Sequence, residues 1–127
     1  MDLDAVIDDL VIGDDYDILR TVTEVPDSTS LDRGWISVKI NRTDPDSAAI
    51  IFKEITVVEQ SGIGQIIDEG SSDGTAMVLF QLTHAETLLL YEHIAYVYDI
   101  KVRTATNKIH TAESGLLYPV RGVTEAV

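Results

Sequence analysis

Residues Tyr96 to Arg103 alternate between an apolar and a largely polar face, and this constrains the fold more than any other stretch of the chain. Tyr96, Tyr98, Ile100 and Val102 fall on one face, and Val97, Asp99, Lys101 and Arg103 on the other. A period of two with strand-favouring aromatics is the pattern of a half-buried antiparallel strand, and it predicts a central core strand here. A polar turn at Ala105-Thr-Asn-Lys108 and an extended run from Ile109 to Val120 make the C-terminal third a predicted hairpin.

The same alternation recurs upstream. Tyr16, Ile18 and Val22 alternate with Asp17, Leu19 and Thr21, in a predicted strand that ends at a turn over Pro26-Asp-Ser-Thr29. Ile36, Val38 and Ile40 are expected in the core, with Trp35, Ser37 and Lys39 opposite them. Asp46 or Ser47 is placed to cap one helical turn through Ala48 and Ala49. Residues 48 to 58 have strand propensity but fit no single period. A short strand over Gln65 to Ile67 lies between the turn signals Ser61-Gly-Ile-Gly64 and Asp68 to Gly74. In the run from Thr75 to Leu82, Ala76, Val78, Phe80 and Leu82 share a face. Thr83-His-Ala-Glu86 then matches a capping box and predicts a one- to two-turn helix crossing between sheets. About seven short strands and one helical crossover predict an all-β fold, an immunoglobulin-like antiparallel β-sandwich, as a single domain over residues 1–127.

Composition removes several functions. With no cysteine, disulfides, thiol nucleophiles and cysteine zinc sites are all absent. The 22 acidic residues against nine basic ones give a net charge of −13, which repels phosphate backbones and argues against nucleic acid as a partner. Apolar runs such as Val78 to Phe80 and Leu88 to Tyr91 are short, far below the roughly 20 residues of a membrane span. Met-Asp-Leu-Asp lacks the basic start of a signal peptide, so a soluble chain made in the cytoplasm, without membrane contact, is expected.

No catalytic set or cofactor motif stands out. Asp14, Asp15 and Asp17 cluster, and Asp44 and Asp46 flank Pro45, but neither group has the order of a calcium loop, and no metal site is expected. His84, His93 and His110 lack metal-ligand spacing. Ser61-Gly-Ile-Gly64 is neither a P-loop nor a dinucleotide fingerprint. Without a nucleophile, base and orienting group that can be named together, the chain reads as no enzyme.

Two stretches are candidates for partner binding. Trp35, beside Arg33 and opposite Ile36 and Val38, is either a contact hot spot or a residue buried between sheets. Asp2, Asp4, Asp8 and Asp9 make residues 1 to 9 an acidic N-terminal arm, expected to contribute little to folding and to dock on a basic partner surface. One of Tyr96 and Tyr98 is expected to make a tyrosine-corner hydrogen bond.

Tyr96-Val-Tyr-Asp-Ile-Lys-Val102, with Ile109-His-Thr111, Gly115 and Val123-Thr124, resembles the closing strands of small immunoglobulin-like domains of tailed-bacteriophage structural proteins. The baseplate upper protein N-terminal domain is one example. Leu10-Val-Ile-Gly-Asp-Asp-Tyr16 is similar to that group's first strand and turn, and Trp35 to Ile40 with Asp44-Pro-Asp46 to its second strand. Baseplate proteins of this type continue into coiled coils, whereas this sequence stops three residues after Thr124, which suggests a free-standing relative. The resemblance implies a non-enzymatic virion protein, present in multiple copies or as a homo-oligomer. It would bind the major capsid protein or a neighbouring head or neck protein as cement, decoration or adaptor. A baseplate or tail-fibre attachment domain is the alternative, and a carbohydrate- or receptor-binding module using Trp35 is a more distant one.

Overall fold

The computed structural model describes residues 5–23, 30–70 and 75–122. The turn expected at Pro26 to Thr29, the residues Asp2 and Asp4, and Val123-Thr124 lie outside the described residues.

The chain is a β-sandwich. In order it forms β1 (Ala5–Ile7), β2 (Val11–Ile12), β3 (Tyr16–Val22), β4 (Leu31–Lys39), a 3-10 turn (Asp46–Ala48), β5 (Ile51–Ile55), β6 (Gly64–Asp68) and β7 (Ala76–Leu82). Helix α1 (His84–Thr87), β8 (Tyr96–Thr104), β9 (Ile109–Leu117) and β10 (Val120–Arg121) follow. One sheet has the order β1-β9-β8-β4-β5 and the other β3-β7-β6, with β2 and β10 as a small separate pair. The expected strands are all present. The three beyond the expected seven, β1, β2 and β10, have two or three residues each, too few to show a period.

Alternation decides which side chains meet between the sheets. Tyr96, Tyr98, Ile100 and Val102 of β8 point inward, as do Ile36 and Val38 of β4, facing Ile18 and Val22 of β3 and Ala76, Val78, Phe80 and Leu82 of β7. These residues form one apolar cluster with almost no exposure, and its burial is the main favourable term in folding. Ile40 departs from the expectation: it lies one residue past the end of β4 and is exposed.

The spatial order of the strands is that of an immunoglobulin variable-type domain, with β3, β7 and β6 as strands B, E and D, and β4, β5, β8 and β9 as C, C′, F and G. The corner expected of one tyrosine belongs to Tyr96. Its ring is buried at the first position of β8, and its hydroxyl accepts from the Tyr91 backbone N–H at 2.8 Å. Just before it, the capping box closes on α1. Thr83 Oγ1 accepts from Glu86 N–H at 3.3 Å, and Glu86 Oε1 accepts from Thr83 N–H at 2.9 Å.

The acidic N-terminal arm requires correction. Ala5 to Ile7 form a parallel strand against Gly115 to Leu117 of β9, and Ile7 is buried, as is Leu10. Backbone bonds from Tyr118 N–H to Ile7 and from Val120 N–H to Leu10 extend the attachment. A β-carbon on Gly115 would lie 2.1 Å from the Ala5 carbonyl oxygen, so the close approach of β1 needs glycine there. Residues 5 to 9 are therefore part of the folded domain. At the 3-10 turn, neither Asp46 nor Ser47 is a side-chain cap. Pro45 occupies the cap position, and the Asp46 carboxylate is taken by Lys39 Nζ at 2.8 Å.

Candidate functional site

The outer face of the five-stranded sheet is built by the residues that alternate out of the core. Along β4 these are Arg33, Trp35, Ser37 and Lys39, and the register sets Trp35 between Glu54 of β5 and Lys101 of β8. Ser37 sits between Phe52 and Asp99 in the next row. In antibody domains the strand-C tryptophan is buried against the disulfide. Here the inward position next to it is Ile36, and the half-buried indole of Trp35 lies on the outer surface. That decides between the two expected locations of Trp35 in favour of the surface.

The indole is held in place. Its Nε1–H donates to Glu54 Oε1 at 2.8 Å, and the Arg103 guanidinium stands 5.9 Å from the ring centroid, within cation–π range. Arg33 and Arg103 are directly opposed across β4 and β8, a like-charge pair that would destabilise the sheet alone. Each has its own acid: Arg33 pairs with Glu54 Oε2 at 3.1 Å, and Arg103 with both carboxylate oxygens of Asp32. Beside Asp32, the Arg103 guanidinium is held more firmly in its charged form than usual, chiefly by that hydrogen bond. A shallow groove of about 380 Å³ crosses this face from Phe52 on β5, past Trp35 on β4, to Ile109 on β9. Phe52 and Ile109 are 45% and 63% exposed, an amount of apolar surface that a contact would cover.

The predicted binding residues do not form one site. Arg33 and Trp35 come together on β4, whereas Asp8 and Asp9 follow β1, which β9 and β8 separate from β4. Asp9 is moreover engaged within the domain, its carboxylate accepting from the Tyr16 hydroxyl. Of the other candidates, Asp15 accepts from the backbone and the ring of His84, and the backbone bond, chiefly, holds its carboxyl below the usual range. His93 is exposed at a left-handed turn, and His110 lies on β9. Among the described residues, no three or more of His, Asp and Glu converge on a metal position. Sequence reasoning missed Phe52, Glu54, Lys101, Arg103 and Ile109 as neighbours of Trp35. Parity along each strand could have placed them on outer faces, but only the pairing of β5, β4, β8 and β9 brings them together.

The chain is thus an immunoglobulin-like β-sandwich with an exposed, side-chain-supported aromatic centre on one sheet, an assignment that rests on its strand order and tyrosine corner. Among solved structures it is similar to murine CRIg, with a TM-score of 0.39 and 10% identity over 91% of this chain and 92% of that one. No family model and no curated protein matches it.

Proposed function

We propose that this domain is a non-catalytic, protein-binding component of a bacteriophage particle, attached through the outer face of its five-stranded sheet. The particle setting is supported by the sequence resemblance to phage structural domains. The mode of binding is supported by one observation: Trp35 stands half-exposed outside the core with its ring fixed by Glu54 and Arg103. A tryptophan already ordered before contact loses little conformational freedom on binding, and such residues dominate interface energies. The class of partner that the resemblance implies is the major capsid protein or an adjoining head or neck protein, met in multiple copies. A sugar-stacking role is less well supported, because the indole N–H is committed to Glu54 and Trp35 is the chain's one tryptophan.

Incorporation tests this reading. Particles assembled in cells producing tagged wild-type or Trp35→Ala protein are banded by density, and bound copies are counted by mass spectrometry. Wild type is expected to band with the particles, and the variant to be depleted about tenfold or more, since a hot-spot residue is worth more than about 1.4 kcal/mol. Wild type that remains free of the particles overturns it.

A further inference from the structure

In this acidic chain the basic residues are unevenly placed. Arg33, Lys39, Arg42, Lys101 and Arg103, five of the nine lysines and arginines, lie on the outer face of β4 and β8 or in the loop after β4. Three are neutralised where they stand: Arg33 by Glu54, Arg103 by Asp32 and Lys39 by Asp46. Arg42 and Lys101 are exposed, have no ion-pair partner among the described residues, and line the same groove as Trp35 and Phe52. Two carboxylates also line it, one paired with a cation and one hydrogen-bonded to a neutral hydroxyl, so the groove's three cations outnumber its two anions. Asp46 accepts from Lys39, and Asp99 accepts from Ser37 Oγ at 3.0 Å.

Two unpaired cations beside an apolar floor call for carboxylates next to an apolar group. The −13 charge of the chain repels anions at a distance, so only a partner that also gains by covering Trp35, Phe52 and Ile109 remains bound. Nucleic acid would offer phosphate to a surface with few free cations and would meet strong repulsion elsewhere. A second copy docked face to face would set the same two unpaired cations against their own copies, with no carboxylate gained for either.

We infer that this groove takes an acidic segment of a partner protein, its carboxylates meeting Arg42 and Lys101 and an apolar side chain covering Trp35 and Phe52. This rests on the protein-binding reading above and names the chemistry of the partner. It also reverses the polarity expected of the acidic N-terminus: the partner's contacting segment is acidic, not basic.

The test is a randomised peptide library selected on the wild-type protein, followed by titration of the enriched peptides while the emission of Trp35 is monitored. Enriched peptides are expected to be acidic with an aromatic or aliphatic anchor, to shift Trp35 emission saturably, and to bind more weakly as salt is raised. Affinity is expected to fall about tenfold or more in Arg42→Glu/Lys101→Glu, a surface variant whose fold is checked by circular dichroism. Neutral or basic peptides, an unchanged Trp35 emission, no enrichment, or full affinity in the double variant overturns the inference. The two readings fail separately. Loss of particle binding in Trp35→Ala but not in the double variant retains the binding face and removes the acidic partner. Retention in Trp35→Ala removes the face itself.

Discussion

The Tyr98 hydroxyl donates to the Glu113 carboxylate, whose other oxygen accepts from Arg20 Nε at 2.9 Å. Tyr98 is on β8, Glu113 on β9 and Arg20 on β3, so this chain of polar groups joins the two sheets. Tyr98 stands two residues after the corner tyrosine, the position at which antibody domains carry the second cysteine of the inter-sheet disulfide. In a chain without cysteine a polar tie occupies that place. Burial, and then the Glu113 carboxylate, push the Tyr98 hydroxyl far above its ordinary pKa, in keeping with its role as the donor of this bond.

Tyr98→Phe keeps the ring and removes the donor to a carboxylate, and is expected to cost about 1.5 to 3 kcal/mol in urea unfolding. Glu113→Leu is expected to cost more, since it leaves both the hydroxyl and the guanidinium without their acceptor. In a double-mutant cycle the two changes should be non-additive, because they remove members of one network. Additive losses would show that Tyr98 and Glu113 act independently.

Deleting residues 1 to 9 is expected to lower the melting temperature by several degrees. It removes Ile7, whose burial is worth roughly 1.5 to 3 kcal/mol, together with the β1–β9 ladder. Gly115→Ala should reproduce much of this loss in the full chain by forcing β1 away from β9. Calorimetry of both variants checks it; an unchanged melting temperature in the deletion would return these residues to the status of a dispensable arm.

Lys53 is a buried lysine on β5, and its ammonium donates to the Gly62 carbonyl and pairs with Glu86 Oε1. Burial pushes the Glu86 carboxyl up, but the Lys53 ammonium and the Thr83 donors outweigh it and hold the group below its ordinary value of 4.5. A carboxyl lowered on folding contributes stability above its unfolded pKa and loses it as pH falls through the folded value. Stability is therefore expected to hold near neutral pH and to decline below about pH 4.5, with a shallower decline in Glu86→Gln. Denaturation midpoints across that range decide it, and identical acid profiles would contradict a role for Glu86.

The parts legible in the sequence are those whose causes are local. β7 and β8 show their inward residues through alternation alone, and the capping box before α1 needs only Thr83 and Glu86. β5 is obscured because Lys53 sits on the inward side between Ile51 and Ile55, and what makes that position tolerable is the Gly62 carbonyl together with Glu86, distant in sequence. β1 was missed because three residues carry no period and their partner, Gly115, is at the far end of the chain. The side of the sheet on which Trp35 falls was readable from parity. Its support by Glu54 and Arg103, and the convergence of Arg42 and Lys101 beside it, depend on pairing across four strands.

Phe52 and Leu19 provide the most direct measurement of the binding face, because they are 45% and 50% exposed on the outer faces of the two different sheets. A photoreactive phenylalanine analogue is placed at one position or the other, and particles containing each protein are irradiated. Cross-linking from position 52 to a neighbouring virion protein, with little from position 19, is the expected result. Cross-linking from position 19 with none from position 52 would contradict the account and move the interface to the β3-β7-β6 sheet.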